Sequence, residues 1–291
     1  MARRAPAVER AIAVLNYLAA RPDERFTLSE IARGCDLNKA TLHAILGALT
    51  EAGYVLREES RKTYGLGPAL VALGGAALAA TPAVEVARPQ MQAMSDELGL
   101  DCVGSTAVAD EIVILARTSP PRPFGIAIQP GQRLPLAPPL GTVFVAWSDS
   151  RRIDRWLAQV GPKASKSDLE RYRAAVDTVR ARGYSVGLEG ESQQRLAKAL
   201  GKERRSKTLE ERVRTIRTEE YALVELDHSA TYRLNHIGAP VFGPDRTVAI
   251  ALFLIGFQGD IPAEEVPRYA DRLMQAARRV TQAIGGREPT S

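Results

Sequence analysis

Apolar residues recur at three- and four-residue steps from the start of the chain. Val8, Ala11, Ile12, Leu15, Leu18 and Ala19 share one face of a helix over residues 7–20. ARPDE, with Pro22, ends it. Thr27 and Glu30 have the spacing of a capping box and open a second helix through Arg33. Gly34 is expected to close that helix by admitting positive φ. Asp36 or Asn38 caps a third helix that runs to about Ala52, with Leu42, Ile45, Leu46 and Leu49 as its buried stripe and Gly53 as its stop. The period then shortens. Tyr54 and Val55 lead in, EESRK turns, and Thr63, Tyr64 and Leu66 lead out. Three short helices and a hairpin predict a winged helix-turn-helix over residues 1–67. The break at GCDLN is tight because the second helix must brace the third at a fixed angle and leave it free to enter a groove.

Residues 68–81 begin PALVALGGAALAA, apolar and rich in alanine and glycine. This run reads as a linker helix that packs on a partner subunit, or as a buried helix within one domain; its position after the wing favours the linker. From Thr81 the pattern is mixed. Pro82 starts a helix to Leu98, with Val86, Met91, Met94 and Leu98 among its apolar positions. LDCVGSTAV and EIVILAR are paired strands joined at the AD step. FGIAIQPGQRLPL is extended. Helices are predicted over Thr142–Trp147, Ser148–Val160, Ser167–Arg182 and Ala263–Ile284. GYSVG, YALVEL, YRLNHIGAPVF and TVAIALFLIGF read as strands, and Glu189–Glu220 as charged and helical. The whole is α+β, with a second α/β domain over 82–285 and a tail, GREPTS at 286–291, expected to be disordered.

Composition narrows the function classes. Apolar residues make up 45% and charged ones 25%, as in ordinary folded proteins. The 39 basic and 34 acidic side chains give a formal charge of +5, which permits a polyanionic partner without demanding one. Cys35 and Cys102 are too few for a disulfide framework and form no CxxC pair. No apolar run approaches the roughly 20 residues that span a bilayer. A soluble cytoplasmic protein without membrane contact is expected. No GxSxG, Walker loop, HExxH or zinc-ligand series occurs, so neither catalytic residues nor a metal or cofactor is assigned.

With its stripe buried, the third helix presents Lys39, Ala40, His43, Ala44 and Gly47 outward. Lys39 and Thr41 lie in the first turn, where side chains and backbone N–H groups hold phosphate. His43 can donate to a base edge or a phosphate. Arg57, Arg61 and Lys62 stand on the wing within reach of the backbone or minor groove. The first 70 residues hold ten basic against eight acidic groups, so this domain is not strongly basic.

AVERAIAVLNYLA, TLSEIARGCDLNKATLHAILGALTEAGYV and the wing ending TYGLG resemble the IclR family of bacterial transcription regulators. GQRLPLAPPLGTVFVAW, ARGYSV and HIGAPVFGPDRTVAIAL carry the likeness through the second half. The resemblance implies a winged-helix domain, a linker helix and a GAF-like effector-binding domain. It also implies binding to double-stranded operator DNA as a homodimer or tetramer, with response to small organic or aromatic acids. Where the family has serine and arginines on the third helix, this chain has Ala40, Ala44 and Gly47. That points to few direct contacts, with dimer spacing and DNA shape supplying specificity, or to a ligand-sensing module without its DNA site.

The family's effector pocket corresponds here to Leu136, Ala137, Gly141, Thr142, His236 and the last strand. Many relatives carry small hydroxyl residues on that strand, at positions held by Phe253 and Ile255. The exchange favours a larger apolar or aromatic acid over a small polar one. Cys102, Asp227, His228 and His236 are candidates for the polar end. His236 reads equally as a core histidine, and Cys102 with His236 as a thiol–imidazole pair. The segment 189–220 looks longer than the family connection. It has nine basic against three acidic residues over 195–217, as a solvated excursion or as a second polyanion or oligomer contact.

Overall fold

The computed structural model describes residues 5–120, 128–161, 164–189 and 222–289. The chain divides into two compact units, the described residues up to Ala80 forming the first and those from Thr81 the second.

In the first unit, α1 (Pro6–Ala19), α2 (Leu28–Cys35) and α3 (Lys39–Glu51) precede the hairpin of β2 (Val55–Glu58) and β3 (Thr63–Leu66). The expected capping box is present: Glu30 N–H donates to Thr27 Oγ1 at 3.3 Å, and Thr27 N–H to Glu30 Oε2 at 2.7 Å. Asn38 caps α3, its Oδ1 accepting from Thr41 N–H at 2.8 Å. Gly53 has φ +72° and follows the helix end. Val14, Leu18, Ile31, Leu42, Leu46 and Val55 are buried together, while Ile45 is half-buried against them.

Two expectations are corrected here. Gly34 does not end α2, because the left-handed residue is Asp36, with φ +54°. Gly34 lies inside the helix, where a Cβ would overlap the Tyr17 ring of α1, so it is glycine for close packing. The sheet also has a third strand, β1 (Phe26–Thr27), paired with Tyr64 and Thr63. α4 (Ala69–Ala79) follows with no buried residue; Val71 is 76% and Leu73 51% exposed.

The second unit opens with α5 (Pro82–Leu98), whose Ala83, Val84, Ala87, Met91 and Met94 are buried. Its six-stranded antiparallel sheet uses β4 (Asp101–Val108), β5 (Glu111–Thr118), β6 (Arg133–Pro135), β7 (Ser185–Leu188), β9 (Leu234–Phe242) and β10 (Val248–Ile255), in the order β6-β5-β4-β10-β9-β7. β8 (Thr231–Tyr232) pairs with β11 (Ile261–Pro262) in a separate ribbon. One sheet face packs on α5 and on the last helix, α9 (Glu265–Ala283). The other is covered by α6 (Thr142–Val145), α7 (Ser150–Ala158) and α8 (Lys166–Arg182) through Phe144, Trp156, Tyr172 and Val176. A bulge between Gly104 and Ser105, opposite Leu115, shifts the register of β5. Ile112 and Ile114 therefore face α6–α8, while Ala116 faces Met91 of α5.

YALVEL is not a strand. Its described part makes a single bridge, Ala222 to Gly187. YRLNHIGAPVF is two strands broken at Arg233. The tail assigned to disorder is tied down at its start: Gly286 N–H donates to Thr281 O at 2.7 Å and Arg287 N–H to Gly243 O at 3.1 Å. Residues 190–220, read as helical, lie outside the described residues. No single helix among the described residues is long and apolar enough to cross a membrane.

Candidate functional site

The outer side of α3 is open. Lys39, Ala40, His43, Ala44 and Gly47 are all exposed, Thr41 is half-buried, and a Cβ on Gly47 would meet nothing within 4 Å. The face follows from the sequence, because Leu42, Leu46 and Leu49 take the inner side at helical spacing. The wing is less free than its composition suggested. Arg57 pairs with Glu59 at 3.2 Å and Arg61 with Glu58 at 3.6 Å, on exposed side chains except the half-buried Glu58. Such surface pairs are worth about 0–1 kcal/mol, little enough to be exchanged for a phosphate. Lys62 sits at the turn with φ +52°.

In the second unit, the sheet face under α6–α8 holds a cavity of about 130 Å³. Its walls include Val103 and Ser105 of β4, Ile112 and Ile114 of β5, Phe253 and Ile255 of β10, and His236 of β9. Gly141, Thr142 and Val143 close it at the start of α6, with Ala175, Val179 and Arg182 of α8 above. Five expected effector residues therefore meet: Gly141, Thr142, His236, Phe253 and Ile255. Leu136 and Ala137 are buried outside the wall, and the Leu136 side chain packs behind Gly141.

Two expected residues lie elsewhere. Cys102 points to the other sheet face, the one packed on α5 and α9. Burial pushes its thiol up to about 12, Arg272 working against the shift and Asp101 with it. It cannot pair with His236 across the sheet, and the thiol–imidazole alternative has no geometry. Asp227 is exposed and turned on its own loop, with Ser229 N–H and Oγ donating to its Oδ1 at 2.9 and 2.7 Å. The Ser229 hydroxyl and amide hold its carboxyl below the ordinary range. His228 is exposed beside it. No group of His, Cys, Asp and Glu among the described residues can hold a metal ion.

Glycines shape the floor. A Cβ on Gly187 would overlap the His236 ring, and one on Gly238 the Phe253 ring. The two rings thus lie flat against bare backbone, edge to face at 5.5 Å. His236 Nδ1 lies 3.1 Å from Asn235 Oδ1. Burial first, and then the Arg182 charge, lowers the His236 pKa to about 4, so the ring is neutral at pH 7. Ser105 and Arg182 were not anticipated. Ser105 is 1% exposed and its Oγ has no hydrogen-bond partner among the described residues. Its alternation with Val103 puts both on one face of β4, but nothing in the strand marks that face as the one with the cavity. Arg182, in the ARGYSV run, is half-buried, and its Nε donates to Tyr184 O at 2.7 Å.

Comparison with known proteins places both units in one family. Residues 7–59 match the IclR helix-turn-helix domain and residues 75–200 the bacterial transcriptional regulator IclR C-terminal domain. The Pca regulon regulatory protein of Pseudomonas putida is 28% identical over 183 residues, 61% of this chain and 62% of that protein, so less than two thirds of the relative is spanned. The glycerol operon regulatory protein of Streptomyces coelicolor is 28% identical over 199 residues, 65% of this chain and 75% of that one. The IclR transcriptional regulator of Alicyclobacillus acidocaldarius shares the fold with a TM-score of 0.72 at 23% identity, covering 98% of this chain and all of that one. An IclR homolog of Microbacterium hydrocarbonoxydans, complexed with 4-hydroxybenzoate, does so with a TM-score of 0.62 at 18% identity, covering 96% and 98%.

Proposed function

Because this chain belongs to the IclR family of bacterial transcriptional regulators, we propose that a small aromatic or apolar organic acid in the second unit's cavity controls its binding to operator DNA. The cavity itself carries the reading: about 130 Å³, walled mainly by apolar side chains, with a few polar groups converging on it. An apolar cavity of ~150 Å³ accepts a benzene ring, so this one suits a single ring. The fold relative complexed with 4-hydroxybenzoate supports an acid of that size.

On the DNA side, α3 enters the major groove with Lys39 and Thr41 on phosphate and His43 at a base edge or phosphate. Ala40, Ala44 and Gly47 let the helix lie close to the groove floor. The protein acts as a homodimer or tetramer, with α4 against a second copy, and effector binding changes the fit to paired half-sites.

Fluorescence anisotropy with a labelled fragment from upstream of the protein's own gene, against an unrelated fragment, tests this. Preferential, salt-sensitive binding that benzoate shifts is expected. Affinity indifferent to benzoate and its ring-substituted relatives would sink the effector reading. Lys39→Ala with His43→Ala should weaken operator binding tenfold or more with an unchanged far-UV spectrum; operator affinity equal to wild type would remove α3's outer face from the interface.

A further inference from the structure

The cavity has polar groups at two opposite ends. Across the sheet, the order β4-β10-β9-β7 places Ser105, Phe253, His236 and then Arg182, just before β7, in succession. Ser105 and β7 are three strand spacings apart, about 14 Å at ordinary spacing. Arg182 lines the cavity at that end, and its charge acts on His236. A single ring lying over Phe253 and neutral His236 fits between the two ends.

Each pole has unmet chemistry. A buried hydroxyl without a partner is destabilising, and Ser105 Oγ is such a group, among apolar neighbours where alanine would fit. Arg182 donates through Nε to the Tyr184 carbonyl and lies 4.7 Å over the Tyr184 ring. No described carboxylate pairs with it, and burial lowers its pKa, so its charge is poorly solvated. An anion there gains a charge-assisted bond; a hydrogen-bonding group at the other end satisfies the serine.

We infer that the cavity selects a one-ring aromatic acid whose carboxylate meets Arg182 and whose opposite ring position carries a hydroxyl or amino group that bonds Ser105. This rests on the effector reading above and deepens it: Ser105 is the residue that separates para-substituted acids from the bare ring acid. The hydrogen bond is worth roughly a five- to tenfold preference.

Titration calorimetry on the full chain tests it with benzoate, 4-hydroxybenzoate and 4-hydroxybenzyl alcohol, the last keeping the phenol but losing the charge. Wild type should bind 4-hydroxybenzoate five- to tenfold more tightly than benzoate, and the alcohol at least tenfold more weakly than 4-hydroxybenzoate. Ser105→Ala, with its thermal midpoint checked against wild type, should lose the preference between the two acids. If both acids bind wild type equally, or the preference survives Ser105→Ala, the inference is overturned while the effector reading stands. If the alcohol matches 4-hydroxybenzoate, the Arg182 pole is overturned. If neither acid binds at millimolar concentration, the effector reading falls and this inference with it.

Discussion

Gly34 and Gly47 both stand inside helices, where glycine costs about 0.5–1 kcal/mol relative to alanine. Their surroundings give the same substitution opposite signs. Gly34→Ala forces a methyl into the Tyr17 ring and should destabilise the first unit by about 1–3 kcal/mol, the range for overpacking. Gly47→Ala meets nothing and should stabilise it by about 0.5–1 kcal/mol. Urea denaturation of the two variants, read by helical circular dichroism, checks both signs. His236 gives a pH dependence. Its folded pKa of about 4 lies below the ordinary 6.5, so the unfolded chain binds a proton that the folded protein refuses. Stability from this group is therefore full above pH 6.5, declines between 6.5 and 4, and is level below. The thermal midpoint of the wild type should fall across that window, and His236→Gln should flatten the part of the slope due to this residue.

The helix-turn-helix was legible because its signals are local. The Thr27–Glu30 box, the Asn38 cap and Gly53 each act within four residues. β1 was not legible, because two residues carry no period and their partners lie almost forty positions on. YALVEL alternates like a strand, but only Ala222 finds a neighbour, so alternation without an edge to pair with gives no ladder. In the cavity, Gly141, Thr142, His236, Phe253 and Ile255 were reached through resemblance. Ser105 and Arg182 were not, because β4 alone does not say which face holds a ligand when helices cover both. α4 is helical as expected, and its role as a linker against a second copy belongs to the proposal. Its exposed Val71 and Leu73 are the surface expected to meet a second copy. Val71→Glu with Leu73→Glu should lower the solution mass by light scattering; an unchanged mass would move the interface elsewhere.

For the whole molecule, the few cations on the proposed DNA-facing surface set the expected salt response. Lys39, Arg57, Arg61 and Lys62 from two copies could neutralise at most eight phosphates, giving a log–log slope no steeper than about −7. If the wing arginines keep their glutamates, only the lysines count and the slope is about −4. Anisotropy across a salt series separates the two, and a slope steeper than −7 would mean that further cations touch DNA. Gly187 and Gly238 have a different kind of consequence. Because the His236 and Phe253 rings already occupy the space where a side chain at either glycine would go, the floor cannot be rebuilt from below. Making room at this floor therefore means trimming the rings themselves. Under the proposed effector reading, a smaller residue at Phe253 is how a lineage could admit a bulkier signal over the same backbone.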